Sequence, residues 1–130
     1  MKIYVAGPLA DVATVKAVQS AVVTAGHELT LDWTNDASLV EHYGAQLDVS
    51  GRLAQEDLNA VMAADAVLVI ASKHDGRGMF VELGAALARA QRGELAHVVV
   101  VGEMWHESVF YFHPAVQRVA SIEAWLEDLR

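Results

Sequence analysis

Cysteine is absent from the 130 residues of this chain, which excludes disulfides and thiolate metal sites. Proline occurs only twice, and no repeat or Ser-rich tract marks a linker, so one domain spanning 1–130 is expected. Wholly apolar runs reach only strand length, far short of the ~20 residues that a membrane helix needs. Met1–Ala6 reads as a strand from the outset, so no secretory leader is expected. A cytoplasmic protein with no membrane partner is the default expectation. Basic residues are scarce: 9 Lys and Arg stand against 17 Asp and Glu, a net charge of −8. A broad nucleic-acid surface needs basic patches, so no nucleic-acid polymer is expected as a partner. A nucleotide-sized anion is compatible with that charge, because backbone N–H groups at helix starts can hold one.

What is present is a hydrophobic fraction of 54%, enough for a packed core, and a regular alternation of strand-like and helix-like segments. The reading along the chain begins with a strand at Lys2–Ala6 ended by Gly7-Pro8. A helix at Val12–Ala25 follows, stopped by Gly26, then a strand at His27–Asp32. An irregular stretch runs from Trp33 to Asp48, with a short helix near Leu39–Tyr43. The pattern then gives a helix at Ser50–Ala64, a strand at Ala66–Ala71, a polar loop at Ser72–Gly78, and a helix at Met79–Arg92. A strand at His97–Gly102 leads to an aromatic-rich loop at Glu103–Pro114. A short strand at Val116–Val119 and a helix at Ser121–Leu129 close the chain. Such alternation predicts an α/β, doubly wound, flavodoxin-like sheet of five parallel strands in the order 2-1-3-4-5.

Ligands of open α/β sheets bind outside the carboxyl ends of the strands. That edge receives Gly7 and Pro8 from the first strand, Trp33 from the second, and Asp75, Gly76 and Gly78 from the loop after the third. Glu82 follows that loop, in the first turn of a helix read as starting at Met79, where the helix dipole favours an ionised carboxylate. A capping box would need Ser or Thr at position 79, and Met79 cannot serve. A carboxylate held beside a ligand-admitting loop is a candidate nucleophile. Asp57 is a second candidate acid. It falls on the stripe Leu53, Ala54, Leu58, Val61 and Met62, where a carboxylate is costly without partners, whereas Glu56 points to solvent. Tyr4 reads as a core tyrosine whose hydroxyl needs a partner, and Asp65 as a structural residue at the start of the third strand. Asp75-Gly76 is a turn dipeptide in a loop that can reach a ligand.

Several chemistries are excluded by their motifs. Gly76-Arg77-Gly78 is not a dinucleotide fingerprint, because Val81 stands where the third glycine belongs. No P-loop occurs and no G-x-S-x-G elbow. The first strand does not end in the acidic pair of a response regulator. The six histidines lack metal-ligand spacing, so no metal is expected.

Three segments together resemble the nucleoside 2-deoxyribosyltransferase superfamily, which includes 2′-deoxynucleoside 5′-monophosphate N-hydrolases. They are Ile3-Tyr4-Val5-Ala6-Gly7-Pro8, Glu56-Asp57-Leu58-Asn59-Ala60-Val61 with Ala64-Asp65, and Gly78-Met79-Phe80-Val81-Glu82-Leu83-Gly84-Ala85-Ala86. The resemblance implies that Glu82 attacks C1′ to form a glycosyl ester, that Tyr4 orients it, and that Asp57 contacts the base and helps protonate it. It implies a small nucleoside or nucleotide as substrate and no cofactor. Transferases of the superfamily often carry an aspartate six residues before the nucleophile. Gly76 stands there, with Asp75 one residue further. Ser108 occupies a segment in which the hydrolases place a serine that reaches a phosphate in a neighbouring subunit's site. Transfer of a deoxyribosyl group to another base and hydrolysis of a nucleoside monophosphate both stay open. So does a different class, a non-catalytic nucleotide-binding domain. The large apolar side chains of Met104–Phe112 predict a homodimer or higher homo-oligomer, with Ser108 or Phe110 completing a neighbour's pocket.

Overall fold

The computed structural model describes residues 1–35 and 43–130. Among these residues the chain forms β1 (Lys2–Ala6), α1 (Val12–Thr24), β2 (Glu28–Leu29), α2 (Leu47–Ala63), β3 (Ala66–Ile70), α3 (Arg77–Gln91), β4 (His97–Val101), β5 (Val116–Val119) and α4 (Ile122–Asp128). The strands pair in parallel in the order β2-β1-β3-β4-β5. This is the doubly wound sheet that the alternation of elements predicts.

Both faces of the sheet are covered, as parallel sheets require. Alternate residues of each strand point to opposite sides. Tyr4, Ala6, Val67, Val69, Val98 and Val100 pack with Ala60 and Val61 of α2, with Ala64 just after it, and with Met79, Leu83, Ala86 and Leu87 of α3. Ile3, Val5, Leu68, Ile70, Val99 and Val101 pack with Val15, Val18 and Val22 of α1 and with Ile122 and Trp125 of α4. Tyr4 therefore faces α2 and α3, and it is fully buried. Arg89 ties these two helices together. Its guanidinium donates to the carbonyls of Val61 and Ala64 at 2.8 and 2.9 Å, adding to the Ala64 amide as a donor at the end of α2, where carbonyls lack intrahelical partners.

Two glycines are dictated by local geometry. Gly26 follows α1 with φ +95°, the left-handed stop that a side chain disfavours. Gly7 ends β1 where a Cβ would come within 2.4 Å of Val15 Cγ2. The sheet edge and α1 meet too closely there for any other residue.

Several boundaries differ from the sequence reading. β2 holds two residues in place of six. Thr30 N still donates to the Ile3 carbonyl at 2.9 Å, but the chain then turns, because the Asp32 carboxylate captures the Thr34 amide at 3.1 Å. α2 starts at Leu47, not Ser50, with Asp48 in its first turn. Ser50 does not cap the helix. Its hydroxyl donates to the Tyr43 carbonyl at 2.9 Å, behind a 3-10 turn at Tyr43–Ala45. The short helix expected near Leu39–Tyr43 lies largely outside the described residues. α3 starts at Arg77, two residues before Met79. The aromatic loop carries a 3-10 turn at Val109–Phe112, capped by Ser108. Among the described residues no helix is long and apolar enough to cross a membrane.

Candidate active site

A cleft of about 800 Å³ opens at the carboxyl edge of the sheet. Its wall is built from five places in the chain, one of them Tyr43 in the 3-10 turn before α2. Gly7, Pro8, Leu9 and Ala10 follow β1, and Trp33 follows β2. Leu53, Asp57 and Leu58 come from α2. Asp75, Gly76, Arg77, Gly78, Met79, Val81 and Glu82 come from the loop after β3 and from α3. This is the crevice between β1 and β3, where the strand order reverses.

Glu82 lies in the second turn of α3, not the first. The earlier helix start moves it away from the dipole's positive end, and its side chain is 9% exposed. Helical side chains lean toward the N-terminus, which brings the carboxylate back to the cleft wall. There it accepts a buried hydrogen bond from the Tyr4 hydroxyl. Sequence spacing could not have paired these residues. The pairing needs β1 beside β3 and Tyr4 on the face covered by α3.

The electrostatics reverse the expectation of a dipole-stabilised anion. Burial pushes the Glu82 carboxyl up from its ordinary value to about 7. The Tyr4 hydrogen bond works in the opposite direction, and the nearby Asp57 charge adds to the rise. Burial, the Glu82 charge and its hydrogen bond, and the Asp57 charge all push Tyr4 upward. Its hydroxyl therefore stays a donor across the working range of pH. Burial thus keeps Glu82 protonated to a higher pH than a solvated carboxyl.

A stability prediction follows from that rise. The folded state holds the Glu82 proton more tightly than the unfolded state. The group's stabilising contribution is full below about pH 4.5 and is lost as pH climbs through about 7. At about 1.4 kcal/mol per pH unit the gap amounts to about 3 kcal/mol. Glu82→Gln, which keeps an acceptor for Tyr4 but cannot ionise, is expected to gain about that much relative to wild type between about pH 4 and about pH 9. Urea denaturation at the two pH values measures it. An unchanged difference would mean that Glu82 carries no such burden.

The structure relocates the apolar face of α2. Leu58 and Met62, expected on the buried stripe, are exposed by 39% and 54%, and Ala54 is also exposed. The inward line is Leu53, Asp57, Ala60, Val61 and Ala64, of which Leu53 and Asp57 are half-buried. Asp57 remains on the inner side, at the point where that line meets the cleft. Glu56 is half-buried in place of fully solvated and pairs with Arg52 at 2.9 Å. Asp65 accepts from the Lys2 amide at 2.8 Å, the structural role its position predicts.

Gly7, Pro8, Trp33, Asp75, Gly76 and Gly78 all line the cleft. Asp75 is mostly exposed there and pairs with Arg77 at 3.0 Å. Ser108 and Phe110 do not line it. They lie on the 3-10 turn after β4, where Ser108 Oγ accepts from the Phe110 amide at 3.3 Å. Residues that the sequence reading did not single out also line the cleft, including Tyr43, Ser50, Leu53 and Val81. Leu53 was signalled by its place one turn before Asp57. Tyr43 and Ser50 carry no such signal. Among the described residues no group of three or more His, Asp or Glu is disposed to hold a metal ion.

The molecule is thus a five-stranded, doubly wound α/β protein with a buried carboxylate and tyrosine at its switch-point crevice. Solved structures share this fold. One, a 2-deoxyribosyltransferase from the psychrotolerant bacterium Bacillus psychrosaccharolyticus, aligns with a TM-score of 0.72 and 18% identity, over 97% of this chain and 90% of that one. Another, a CMP N-glycosidase from Clostridium botulinum, aligns with a TM-score of 0.59 and 12% identity, over 99% and 98%. At these identities the similarity is one of fold. No protein-family model matches the sequence, and no curated protein is significantly similar to it.

Proposed function

We propose that this chain cleaves the N-glycosidic bond of a deoxynucleoside and transfers the 2-deoxyribosyl group to another base, through a covalent ester on Glu82. The observation that carries the reading is Glu82, held by buried Tyr4, on the wall of a cleft that Asp57 also lines. A nucleobase leaves poorly unless protonated, and the sugar passes through an oxocarbenium-like state. A carboxylate nucleophile on one side and a carboxylic acid near the base on the other supply both needs. In the first step the Glu82 oxygen bonds to C1′ as the C1′–N bond breaks, and the base leaves with a proton from Asp57. In the second, a ring nitrogen of an incoming base bonds to C1′ as the ester C1′–O bond breaks, which frees the Glu82 carboxylate, and the proton that the nitrogen loses returns to Asp57. Tyr4 holds the carboxylate throughout. The two solved enzymes of this fold, a deoxyribosyltransferase and a nucleotide N-glycosidase by name, support the same bond as the target. The test incubates the protein with nucleosides and nucleoside monophosphates, with and without a free base. Exchanged base supports transfer, and neither release nor exchange would count against the reading.

A second reading, hydrolysis of a nucleoside 5′-monophosphate to base and sugar phosphate, is favoured by the start of α3. Gly76, Arg77 and Gly78 line the cleft there, Gly76 makes no side-chain cap, and a Cβ at Gly78 would meet nothing within 4 Å. Open backbone N–H groups beside free space suit a phosphate. Release of base from a monophosphate without an acceptor distinguishes this reading.

The active unit in this account is a homo-oligomer, with Ser108 or Phe110 completing the neighbouring cleft. Trp105, Val109, Phe110 and Phe112 are exposed by 61, 77, 58 and 47%, more apolar surface in one segment than a monomer normally leaves bare. The expected result is complementation. Inactive Glu82→Ala and inactive Phe110→Ala, mixed and allowed to exchange subunits, should regain about a quarter of wild-type activity if pairs form at random in a two-fold dimer. No recovery despite proven exchange would reject the shared site.

A further inference from the structure

Gln19 is a buried polar residue on the side of the sheet away from α2 and α3. It lies on α1 and is 4% exposed, and a buried amide is costly unless bonded. Its Nε2 donates to Asp32 Oδ1 at 3.3 Å. The same oxygen accepts from the Thr34 amide at 3.1 Å and from the Thr34 hydroxyl. Three donors thus converge on one carboxylate oxygen where the chain leaves β2.

Trp33 sits between Asp32 and Thr34. Its indole Nε1 donates to the Val5 carbonyl at 2.7 Å, a β1 acceptor beyond the last residue of β2. A side chain has taken over the donor role that a longer β2 would have filled. The ring packs against both core layers and still lines the cleft. Trp105 and Trp125, the other tryptophans of the chain, do not line it. A tryptophan needed only for packing would have no reason to present a face to the cavity. Nor would a simple turn need a carboxylate braced from a neighbouring helix.

Position in the sheet gives that face a use. The indole bonds the Val5 carbonyl of β1, the strand next to β3, so it stands about one to two strand spacings, ~5–10 Å, from the β3 side that leads to Glu82. A sugar with C1′ at Glu82 directs its heterocycle over the end of β1 toward the indole. We propose that Trp33 is the wall on which the heterocycle stacks, and that Asp32, braced by Gln19, is the positioning group that fixes the ring. This rests on the N-glycosidic reading above. Stacking on a fixed aromatic face is sequence-tolerant, since every base has a π-face. The wall therefore selects a planar heterocycle and leaves the choice among bases to other groups.

The test titrates the intact protein with 2′-deoxyadenosine, 2′-deoxycytidine and their 5′-monophosphates, following tryptophan emission, Kd, KM and kcat. Wild type is expected to show quenching on binding. Trp33→Leu should lose the quenching and weaken Kd by about 10- to 100-fold, the span of one base–aromatic stack. Trp33→Phe should retain most of the affinity. Gln19→Met and Asp32→Ala should raise KM by about 3- to 10-fold with kcat within about twofold, and should shift the emission maximum. Asp32→Asn, whose amide oxygen still accepts, should restore wild-type values. If Trp33→Leu fails to fold, quenching in the wild type decides: a bound base that leaves emission unchanged overturns the wall. A folded Trp33→Leu with unchanged Kd does the same. Unchanged KM and emission in both Gln19→Met and Asp32→Ala overturn the positioning role. If the wild type neither binds nor turns over any of the four compounds, the N-glycosidic reading itself falls, and this inference falls with it. Turnover without dependence on Trp33 removes this inference alone.

Discussion

Replacing Glu82 by alanine is expected to lower turnover by about 10⁴- to 10⁶-fold, the scale of removing a nucleophile while binding persists. Glu82→Gln is expected to do nearly the same. The amide preserves volume and the hydrogen bond from Tyr4, but it cannot attack C1′. The comparison separates chemistry from packing, because Glu82 is buried and a cavity at that site carries its own penalty. The glutamine variant avoids the cavity and also removes the ionisation burden, so it should be inactive yet more stable above neutral pH. That pairing is hard to produce by any purely structural role. In the wild type, kcat/KM should rise from acid pH as Glu82 ionises near 7, since only the carboxylate attacks. Steady-state rates across pH, read with circular dichroism to confirm folding, decide the matter. Near-wild-type activity in either variant would remove Glu82 from the mechanism.

The second large effect is at Asp57. Asp57→Asn is expected to reduce turnover by about 10²- to 10⁴-fold, the usual span for a general acid. The loss should shrink for substrates whose base leaves easily without protonation, because the acid is then needed less. This dependence on the leaving group distinguishes an acid from a residue that only shapes the cleft. It is also the check on the electrostatic pairing. Asp57 bears on both Glu82 and Tyr4, and two neighbouring carboxyl groups do not ionise independently. Neutral asparagine should therefore lower the pH at which Glu82 ionises. An unchanged rate, with only a lower melting temperature, would assign Asp57 to structure.

The fold was legible because its signals are local and repeated. The apolar runs Ile3–Ala6, Ala66–Ile70 and His97–Val101 are short and bounded by turn residues. Helices between them force parallel pairing. The second strand misled, because β-like residues from His27 to Asp32 compete with the Asp32–Thr34 turn, and the Trp33 indole takes over the bond to Val5. The start of α3 also misled. Gly76 and Gly78 read as loop, yet Gly78 sits inside the first helical turn, and that shift moved Glu82 from the dipole's influence into a buried position.

The face of α2 was misassigned for a related reason. Leu58 and Met62 are apolar, but periodicity alone cannot distinguish a side chain facing its own core from one left at the surface. Asp57 reached the cleft in either reading. The Tyr4–Glu82 bond spans 78 positions and exists only once β1 lies beside β3. Residues and approximate places were in the sequence. The contact, its burial and the resulting shift of the carboxyl were products of tertiary structure.

Trapping the covalent bond between Glu82 and a sugar carbon is the most direct test of the proposed mechanism. The protein would be incubated with a set of nucleosides bearing a fluorine at C2′, which destabilises the oxocarbenium-like state and slows breakdown of the ester. Peptides would then be mapped by mass spectrometry. The expected result is a fluorosugar adduct on the peptide containing Glu82, absent in Glu82→Gln and discharged by adding a free base. Base release from ordinary nucleosides with no adduct, or with an adduct on a peptide lacking Glu82, would contradict it.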